Sequence, residues 1–136
     1  MGPVLCCLDE SEAAPHVLHV ADELARRLGL ELVLVHVAPP PAGAPGLSEI
    51  PVGYERLLAE EIETGQLLLE RLSGEAGLPT PRTRATVGSP ASYIVSICEE
   101  EGAGLVVLGS RGRGGLASSV LGSVSSDVRA GHRVHA

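Results

Sequence analysis

A short apolar run that stops at a glycine-rich segment constrains this chain more than any other feature. Residues 105–108 are four apolar residues in a row, which predicts a buried strand. The chain then passes through glycine, serine and arginine residues before a short helical pattern begins near Ser123. Glycines at a strand-to-helix turn let the backbone approach a ligand, and the exposed N–H groups lie at the positive end of the helix. The segment therefore predicts a site for an anionic group such as a phosphate.

Strand and helix patterns alternate along the chain. Apolar runs predict strands at residues 3–9, 32–37 and 104–108, and alternating Arg and Ala/Val residues predict a fourth strand at 82–87. Apolar residues at three- and four-residue spacing predict four helices, at residues 11–28, about 58–74, 90–101 and 123–130. This β-α-β-α-β-α-β-α order predicts a doubly wound parallel sheet of the α/β class. For 136 residues, one domain over 1–136 is the expected organisation.

Several local signals refine these elements. Ser11 is predicted to cap the first helix and Gly29 to end it. Residues 38–53 contain five prolines and three glycines, which predicts a long loop. Gly65 lies inside a predicted helix at a cost of roughly 1 kcal/mol relative to alanine, which indicates close packing there. The three glutamates at 99–101 lie at the unfavourable end of their helix, and we expect a solvated surface there rather than a site.

The predicted topology brings two of these features together. Right-handed crossovers and the strand order 3-2-1-4, which is expected for such a fold, place the first and fourth strands side by side. Asp9 follows the first strand and Gly109 follows the fourth. Because the connections leave these strands in opposite directions, a crevice opens at their carboxyl ends. The sequence therefore predicts a binding site between Asp9 and Gly109.

The composition excludes one kind of phosphate site. All ten basic residues are arginine, so the chain cannot supply the lysine of a Walker A loop. Phosphate contacts must come from backbone N–H groups, from the hydroxyls of Ser110, Ser123 and Ser125, and from Arg111 or Arg113. Residues 112–117 fit the dinucleotide pattern G-x-G-x-x-A, but no further strand with an acidic residue follows them. The dinucleotide interpretation is therefore disfavoured.

Charge and cysteine content bound the partners and the compartment. The net charge of −7 argues against nonspecific binding to nucleic acid. No signal peptide or membrane span is recognisable, so we expect a cytoplasmic protein without a membrane partner. The three cysteines, Cys6, Cys7 and Cys98, have no metal-ligand spacing and are expected to be buried, reduced thiols. His36 lies inside an apolar strand and is expected to be a satisfied core histidine.

The glycine spacing resembles a known signature. The pattern G-x-x-G, nine residues, then G-S, starting at Gly109, is similar to the nucleotide-binding signature of the universal stress protein family. LCCLDESEA, LVLVHV and TVGSPASYIV are similar to the first strand, the second strand and the entry into the third helix of that family. The resemblance covers residues 3–128 and implies a Rossmann-like, three-layer sandwich of the adenine nucleotide alpha hydrolase-like type.

The resemblance also implies a ligand and the residues that hold it. ATP is the implied ligand, with Mg²⁺ or Mn²⁺ as an accompanying ion. Asp9 and the main chain of Val37 would hold the adenine. The ribose and phosphates would lie against the glycine-rich segment, at Gly109, Ser110, Arg111, Gly112, Gly122, Ser123, Val124 and Ser125. Members of this kind act as regulatory or signalling modules in the stress response, and many are homodimers.

Two departures from the family pattern leave alternatives open. Glu10 stands where the family more usually has glycine or an apolar residue, and a second carboxylate there would repel polyphosphate or help to hold a metal. The chain closes on the short polar stretch 131–136, where the family has an apolar fifth strand, so that strand is expected to be truncated or missing. Strand four would then have an open edge, available for pairing with another chain.

Three functions follow as alternatives. The first is an ATP-binding regulatory module, in which any hydrolysis is slow because no general base or lysine is evident. The second is an interaction or scaffold protein of the same fold that binds no nucleotide. The third is a slow metal-dependent nucleotide hydrolase with Asp9 and Glu10 as metal ligands. An Asp9 that serves only as a negative charge at a helix N-terminus, contributing about 0.3–1 kcal/mol, would fit the second.

Overall fold

The computed structural model of the protein describes residues 2–40, 52–79, 81–109 and 133–135. In chain order the elements are β1 (Val4–Cys7), α1 (Ala14–Leu28), β2 (Leu32–Ala38), α2 (Tyr54–Glu75), β3 (Arg82–Val87), α3 (Pro90–Glu101), β4 (Leu105–Val107) and β5 (Arg133–His135). The strands form one parallel sheet in the order β3-β2-β1-β4-β5. The predicted α/β class and the order 3-2-1-4 are confirmed. The helix predicted at 123–130 lies outside the described residues.

The sheet is covered on both faces, because alternate residues of each strand point to opposite sides. One face packs against α1 and α2 and buries Val4, Cys6, Leu8, Leu34, Leu105 and Val107. The other packs against α3 and buries Leu5, Val33, Val35 and Val106. With no Phe or Trp in the chain, branched aliphatic side chains fill both layers. This double burial explains why β1, β2 and β4 are continuous apolar runs, whereas β3 at the edge of the sheet alternates.

Helix α1 begins later than its sequence signal predicts. Ser11 is not its cap: the residue before the helix is Ala13, which makes no side-chain capping bond. The Ser11 N–H instead donates to Asp9 Oδ1 over 2.9 Å, which forms a turn that delays the helix by two residues. The other end is as predicted. Gly29 adopts a left-handed conformation with φ 68°, and its N–H bonds to the last turn of α1.

Helix α2 lies across β2 and β3 on the α1 side of the sheet. Its inner side carries Gly65, Leu68, Leu69 and Leu72. A Cβ atom at Gly65 would lie 2.7 Å from His36 Cδ2 and 3.4 Å from Ala85 Cβ, so the predicted close packing is confirmed. Charged residues recur along this helix, and in the described part of the chain no helix is long and apolar enough to cross a membrane.

The end of the chain differs from the prediction in one respect. Arg133–His135 forms the short strand β5, which pairs in parallel with β4 from Leu105↔Arg133 to Val107↔His135. A truncated fifth strand is therefore consistent with the fold, but a missing one is wrong. The prediction of an open edge on β4 is also wrong, because three residues suffice to continue the ladder along this short strand.

An ion-pair network joins β3 to the carboxyl end of α3, at the amino-terminal end of the sheet. Arg84 lies 2.7 Å from Glu100 and 3.3 Å from Glu101. Arg82 also pairs with Glu101 and lies 3.6 Å from Glu31. The solvated surface predicted for 99–101 is therefore wrong for Glu101, whose side chain is only 14% exposed. Its charge is satisfied by arginines from a strand 17 to 19 residues earlier, which helix periodicity does not indicate.

Candidate functional site

The strand order creates a reversal between β1 and β4. The chain moves outward from β1 to β2 to β3, and then crosses back so that β4 lies on the other side of β1. In parallel sheets, ligands bind beyond the carboxyl ends of the strands at such a reversal. Three of the predicted site residues lie there: Asp9, Val37 and Gly109 follow or end β1, β2 and β4. We call the space that they border the strand-tip crevice.

Asp9 stands two residues beyond the end of β1 and is half-buried. Its Oδ1 atom accepts the Ser11 N–H over 2.9 Å, which fixes the carboxylate at the start of the turn into α1. Leu8, just before it, is buried and donates its N–H to the Val35 carbonyl over 2.8 Å. Asp9 is therefore an oriented acceptor at the strand tip, held by the main chain on both sides.

Val37 lies where β2 extends past the end of β1. The β1–β2 ladder ends at the pair Cys7↔Val35, whereas β2 continues to Ala38. The Val35 carbonyl accepts from Leu8 on β1, and the Ala38 carbonyl accepts from Gly88 beyond β3. Since backbone groups alternate in direction along a strand, the N–H and C=O of Val37 point toward the β1 side. The peptide groups of Val37 therefore face the strand-tip crevice, while its side chain packs against the core beneath α3.

Gly109 borders the crevice from the side of β4. The register Cys6↔Val107 places it, two residues on, next to Leu8, and it is half-buried. The rest of the predicted site lies outside the described residues: Ser110, Arg111, Gly112, Gly122, Ser123, Val124 and Ser125. Thus the described structure brings together the residues predicted for the adenine end, and those predicted for the phosphates stay a prediction.

His36 holds two strand tips together. Its Nδ1 atom lies 2.8 Å from the carbonyl oxygen of Leu8, 28 residues earlier in the chain. The expectation of a satisfied core histidine is confirmed. The sequence did not identify Leu8 as its partner, because the acceptor is a main-chain atom that no residue pattern marks. The one sequence signal for the position of the His36 ring is Gly65, since a glycine within a helix leaves room for a ring beneath it.

The cysteines are unsuited to nucleophilic chemistry. All three are free thiols. Burial raises the pKa of Cys6 and of Cys7, and it raises the pKa of Cys98 to about 11. Because the thiolate is the reactive form, these side chains stay protonated and inert near neutral pH. The predicted burial is confirmed for Cys6 and Cys98, whereas Cys7 is half-buried.

Outside the crevice, metal ligands and cavities are the features of the described residues that could mark a second site. In residues 2–40, 52–79 and 81–109, no three His, Cys, Asp or Glu side chains converge in a way that could hold a metal. Two cavities, of about 240 and 310 Å³, lie beside α1 near the connection from α2 to β3. Asp22 and Leu78 line both of them, and neither is lined by the three crevice residues.

Comparisons with known proteins agree with this architecture. A universal stress protein of Mycolicibacterium smegmatis is 39% identical over 131 residues, covering 93% of this chain. The chain spans only 41% of the length of that relative. A universal stress protein of Synechocystis sp. is 31% identical over 142 residues, covering 93% of this chain and 90% of its own.

Solved structures share the fold. UspA from Lactobacillus plantarum superposes with a TM-score of 0.77 at 19% identity, covering 98% of this chain and 95% of its own. A universal stress protein in complex with cAMP gives a TM-score of 0.67 at 21% identity, with coverages of 98% and 94%. The Archaeoglobus fulgidus protein in complex with dAMP gives 0.54 at 21% identity, with coverages of 98% and 95%.

The family assignment rests on most of the chain. Residues 1–131 match the sequence model described as the Universal stress protein family. That range contains β1 to β4 and the glycine-rich segment, so the match includes the strand-tip crevice together with its scaffold. The protein belongs to the universal stress protein family.

Proposed function

We propose that the protein binds an adenine nucleotide, ATP foremost, in the strand-tip crevice. The observation that carries this proposal is the position of the Val37 peptide, which faces the space beyond the end of β1 beside Asp9. A main-chain N–H and C=O on one side of a strand form a donor–acceptor pair. The Watson–Crick edge of adenine offers the complementary pair, an acceptor ring nitrogen beside a donor amino group.

Asp9 completes the nucleoside end of the site. An ionised carboxylate only accepts hydrogen bonds, so it suits the hydroxyls of ribose or an amino group of the base. The Asp9 Oδ1 atom accepts the Ser11 N–H, and this bond fixes the orientation of the carboxylate at the strand tip. An acidic residue contacts the ribose in other doubly wound nucleotide-binding folds for the same reason. The proposed site thus recognises the nucleoside through the Asp9 carboxylate and the Val37 peptide.

The phosphates belong, in this proposal, to the segment that begins at Gly109. Backbone N–H groups and the hydroxyls of Ser110, Ser123 and Ser125 would bind them, with Arg111 as the nearby positive charge. Gly112, Gly122 and Val124 would complete the cradle. A Mg²⁺ or Mn²⁺ ion would accompany the phosphates, with the Asp9 carboxylate at the edge of the crevice. Magnesium in nucleotide sites is typically held by one or two carboxylates and the phosphates themselves.

The proposed role is regulatory rather than catalytic. The chain has no lysine, and its thiols are inert, so hydrolysis would at most be slow. The cAMP and dAMP complexes of proteins with the same fold support an adenine nucleotide as the ligand. Action in the cytoplasm and a homodimeric state also belong to the proposal, and size-exclusion chromatography with and without ATP tests the assembly.

Titration calorimetry with ATP and Mg²⁺ tests the proposal. Asp9→Ala is expected to raise the Kd for ATP at least tenfold, about 1.4 kcal/mol, because it removes the nucleoside acceptor. Glu10→Gln is the matched control: it neutralises the adjacent exposed carboxylate, and we expect its Kd to stay within about threefold. Gly112→Val should abolish binding by filling the predicted phosphate cradle.

The outcome also separates the alternatives. No heat and no thermal stabilisation at millimolar ATP would replace this proposal with the scaffold function. Prolonged incubation with labelled ATP tests the hydrolase: product that forms faster than with Gly112→Val would make the protein an enzyme.

A further inference from the structure

The hydrogen-bond ladder between β1 and β2 ends at Cys7↔Val35, although β2 continues to Ala38. In a parallel ladder, the bond that follows Leu8 N–H to Val35 O is the bond from the Val37 N–H to the Leu8 carbonyl. The first of these is present at 2.8 Å. The second would extend the pairing to Leu8 and His36, yet among the described strands the register ends at Cys7↔Val35. The Leu8 carbonyl instead accepts a hydrogen bond from a different donor.

That donor is the His36 side chain. His36 Nδ1 lies 2.8 Å from Leu8 O, and a carbonyl oxygen only accepts, so Nδ1 carries the proton. The imidazole thus donates to the same carbonyl oxygen to which the Val37 N–H would donate if the ladder continued. The ring reaches this position because it lies against Gly65 of α2, where any Cβ would overlap His36 Cδ2.

We infer that His36 is a positioning residue that ends the β1–β2 ladder and thereby keeps the Val37 N–H available to a ligand. The inference rests on the proposed function and deepens it, because the released N–H is the donor assigned to the adenine ring nitrogen. His36 does not touch the nucleotide in this account. It acts by holding the Leu8 carbonyl, and Gly65 supplies the space in which it does so.

Two substitutions separate the donor from the rest of the side chain. His36→Leu removes the Nδ1 donor, so the Val37 N–H is expected to pair with the Leu8 carbonyl and to leave the crevice. His36→Asn keeps a donor nitrogen on Cγ at the position of Nδ1. The hydrogen exchange of the Val37 amide and the Kd values for Mg-ATP and for inorganic tripolyphosphate are measured in all three proteins.

The inference predicts a specific pattern. In His36→Leu the Val37 amide should exchange at least tenfold more slowly, and the Kd for ATP should rise about tenfold. The Kd for tripolyphosphate, which lacks the base, should stay within twofold. His36→Asn should match the wild type in all three measurements. Slower exchange at Val37 is the decisive readout, since a purely structural loss would speed exchange there.

Other results would overturn the inference. It fails if His36→Leu leaves the Val37 exchange and the ATP affinity unchanged, if His36→Asn behaves like His36→Leu, or if ATP and tripolyphosphate weaken equally. Should His36→Leu not fold, nitrogen chemical shifts of the wild-type imidazole decide, and an unprotonated Nδ1 contradicts the inference. A wild type that binds no ATP refutes the proposed function alone, because the exchange comparison still tests the role of His36 in the ladder.

Discussion

The two ends of the sheet are held together by different chemistry. At the amino-terminal end, side-chain charges pair with one another, as Arg82 and Arg84 do with Glu31, Glu100 and Glu101. At the carboxyl end, the described hydrogen bonds involve main-chain atoms: Leu8 O with His36, Ser11 N–H with Asp9, and Gly88 N–H with Ala38 O. Half-exposed ion pairs contribute at most about 1 kcal/mol each and are screened by salt. Main-chain hydrogen bonds among packed residues depend instead on how closely the neighbouring atoms fit together.

The comparison teaches where this fold tolerates change. The amino-terminal end can lose a charge and keep its geometry, because solvent replaces much of the lost interaction. At the carboxyl end, the Cβ positions of Gly65 and Gly88 are already occupied by neighbours, so one methyl group matters there. Gly2 at the amino-terminal end is confined as well, by the Gly102 carbonyl, so the two ends differ in their ion pairs and not in the confinement of their glycines. At the end proposed to bind the nucleotide, shape is the main constraint, which is what a preorganised main-chain site requires.

The largest expected effect is at Gly88, directly after β3 at the carboxyl end. Its φ of 153° is one that side chains rarely adopt, and a Cβ there would overlap the ring of Tyr93. Gly88→Ala should lower the free energy of unfolding by about 2–3 kcal/mol. Urea denaturation measures this. Adding Tyr93→Ala should return part of the loss by removing the overlap, and a Gly88→Ala protein as stable as the wild type would break the contrast between the two ends.

An intermediate effect is expected for a matched pair of glycines within α2. Gly65→Ala brings a methyl group against His36, whereas a Cβ at Gly74 meets nothing within 4 Å. Alanine favours a helix by about 1 kcal/mol over glycine. Gly74→Ala should therefore stabilise the protein by roughly that amount, while Gly65→Ala should destabilise it by about 1 kcal/mol because the overlap outweighs the helix gain. Equal stabilisation by both would show that the His36 ring moves aside freely.

The smallest effect is expected at the amino-terminal end, and it concerns pH. The Arg84 guanidinium, by hydrogen bond and by charge, lowers the pKa of Glu100 below its ordinary value near 4.5. A lowered folded-state pKa gives stability that is present above pH about 4.5 and is lost as the pH falls through the lower value. Glu100→Gln should therefore flatten the acid limb of the stability profile slightly. Denaturation midpoints between pH 3 and 6, at low and high salt, measure this. If stability falls with pH as steeply in the variant as in the wild type, the Arg84–Glu100 pair contributes nothing.

Much of the scaffold could be predicted because its signals are local. Local residue types predict the apolar run of β2, the alternating residues of β3, Gly29 as the end of α1, and the close packing at Gly65. The strand order followed from handedness and fold class. The positions of Asp9 and Gly109 at neighbouring tips followed in turn from that order.

The contacts that the sequence did not predict all involve partners that are distant in sequence or belong to the main chain. Ser11 has the residue type of a cap, but its N–H is taken by Asp9 and the helix starts later. Glu101 has the position of a solvated charge, but arginines on β3 reach it. The bond from His36 to Leu8 depends on how far β1 and β2 run together, which no composition reveals.

The overhang of β2 beyond β1 has an evolutionary consequence. Every residue except proline carries the same N–H and C=O, so the contacts proposed for Val37 would survive nearly any change of its side chain. Ligand preference would then be encoded in where a strand stops rather than in which amino acid stands there. Mutational tolerance at Val37 would be compatible with a strict requirement for its backbone, and proline would be the one residue to expose that requirement.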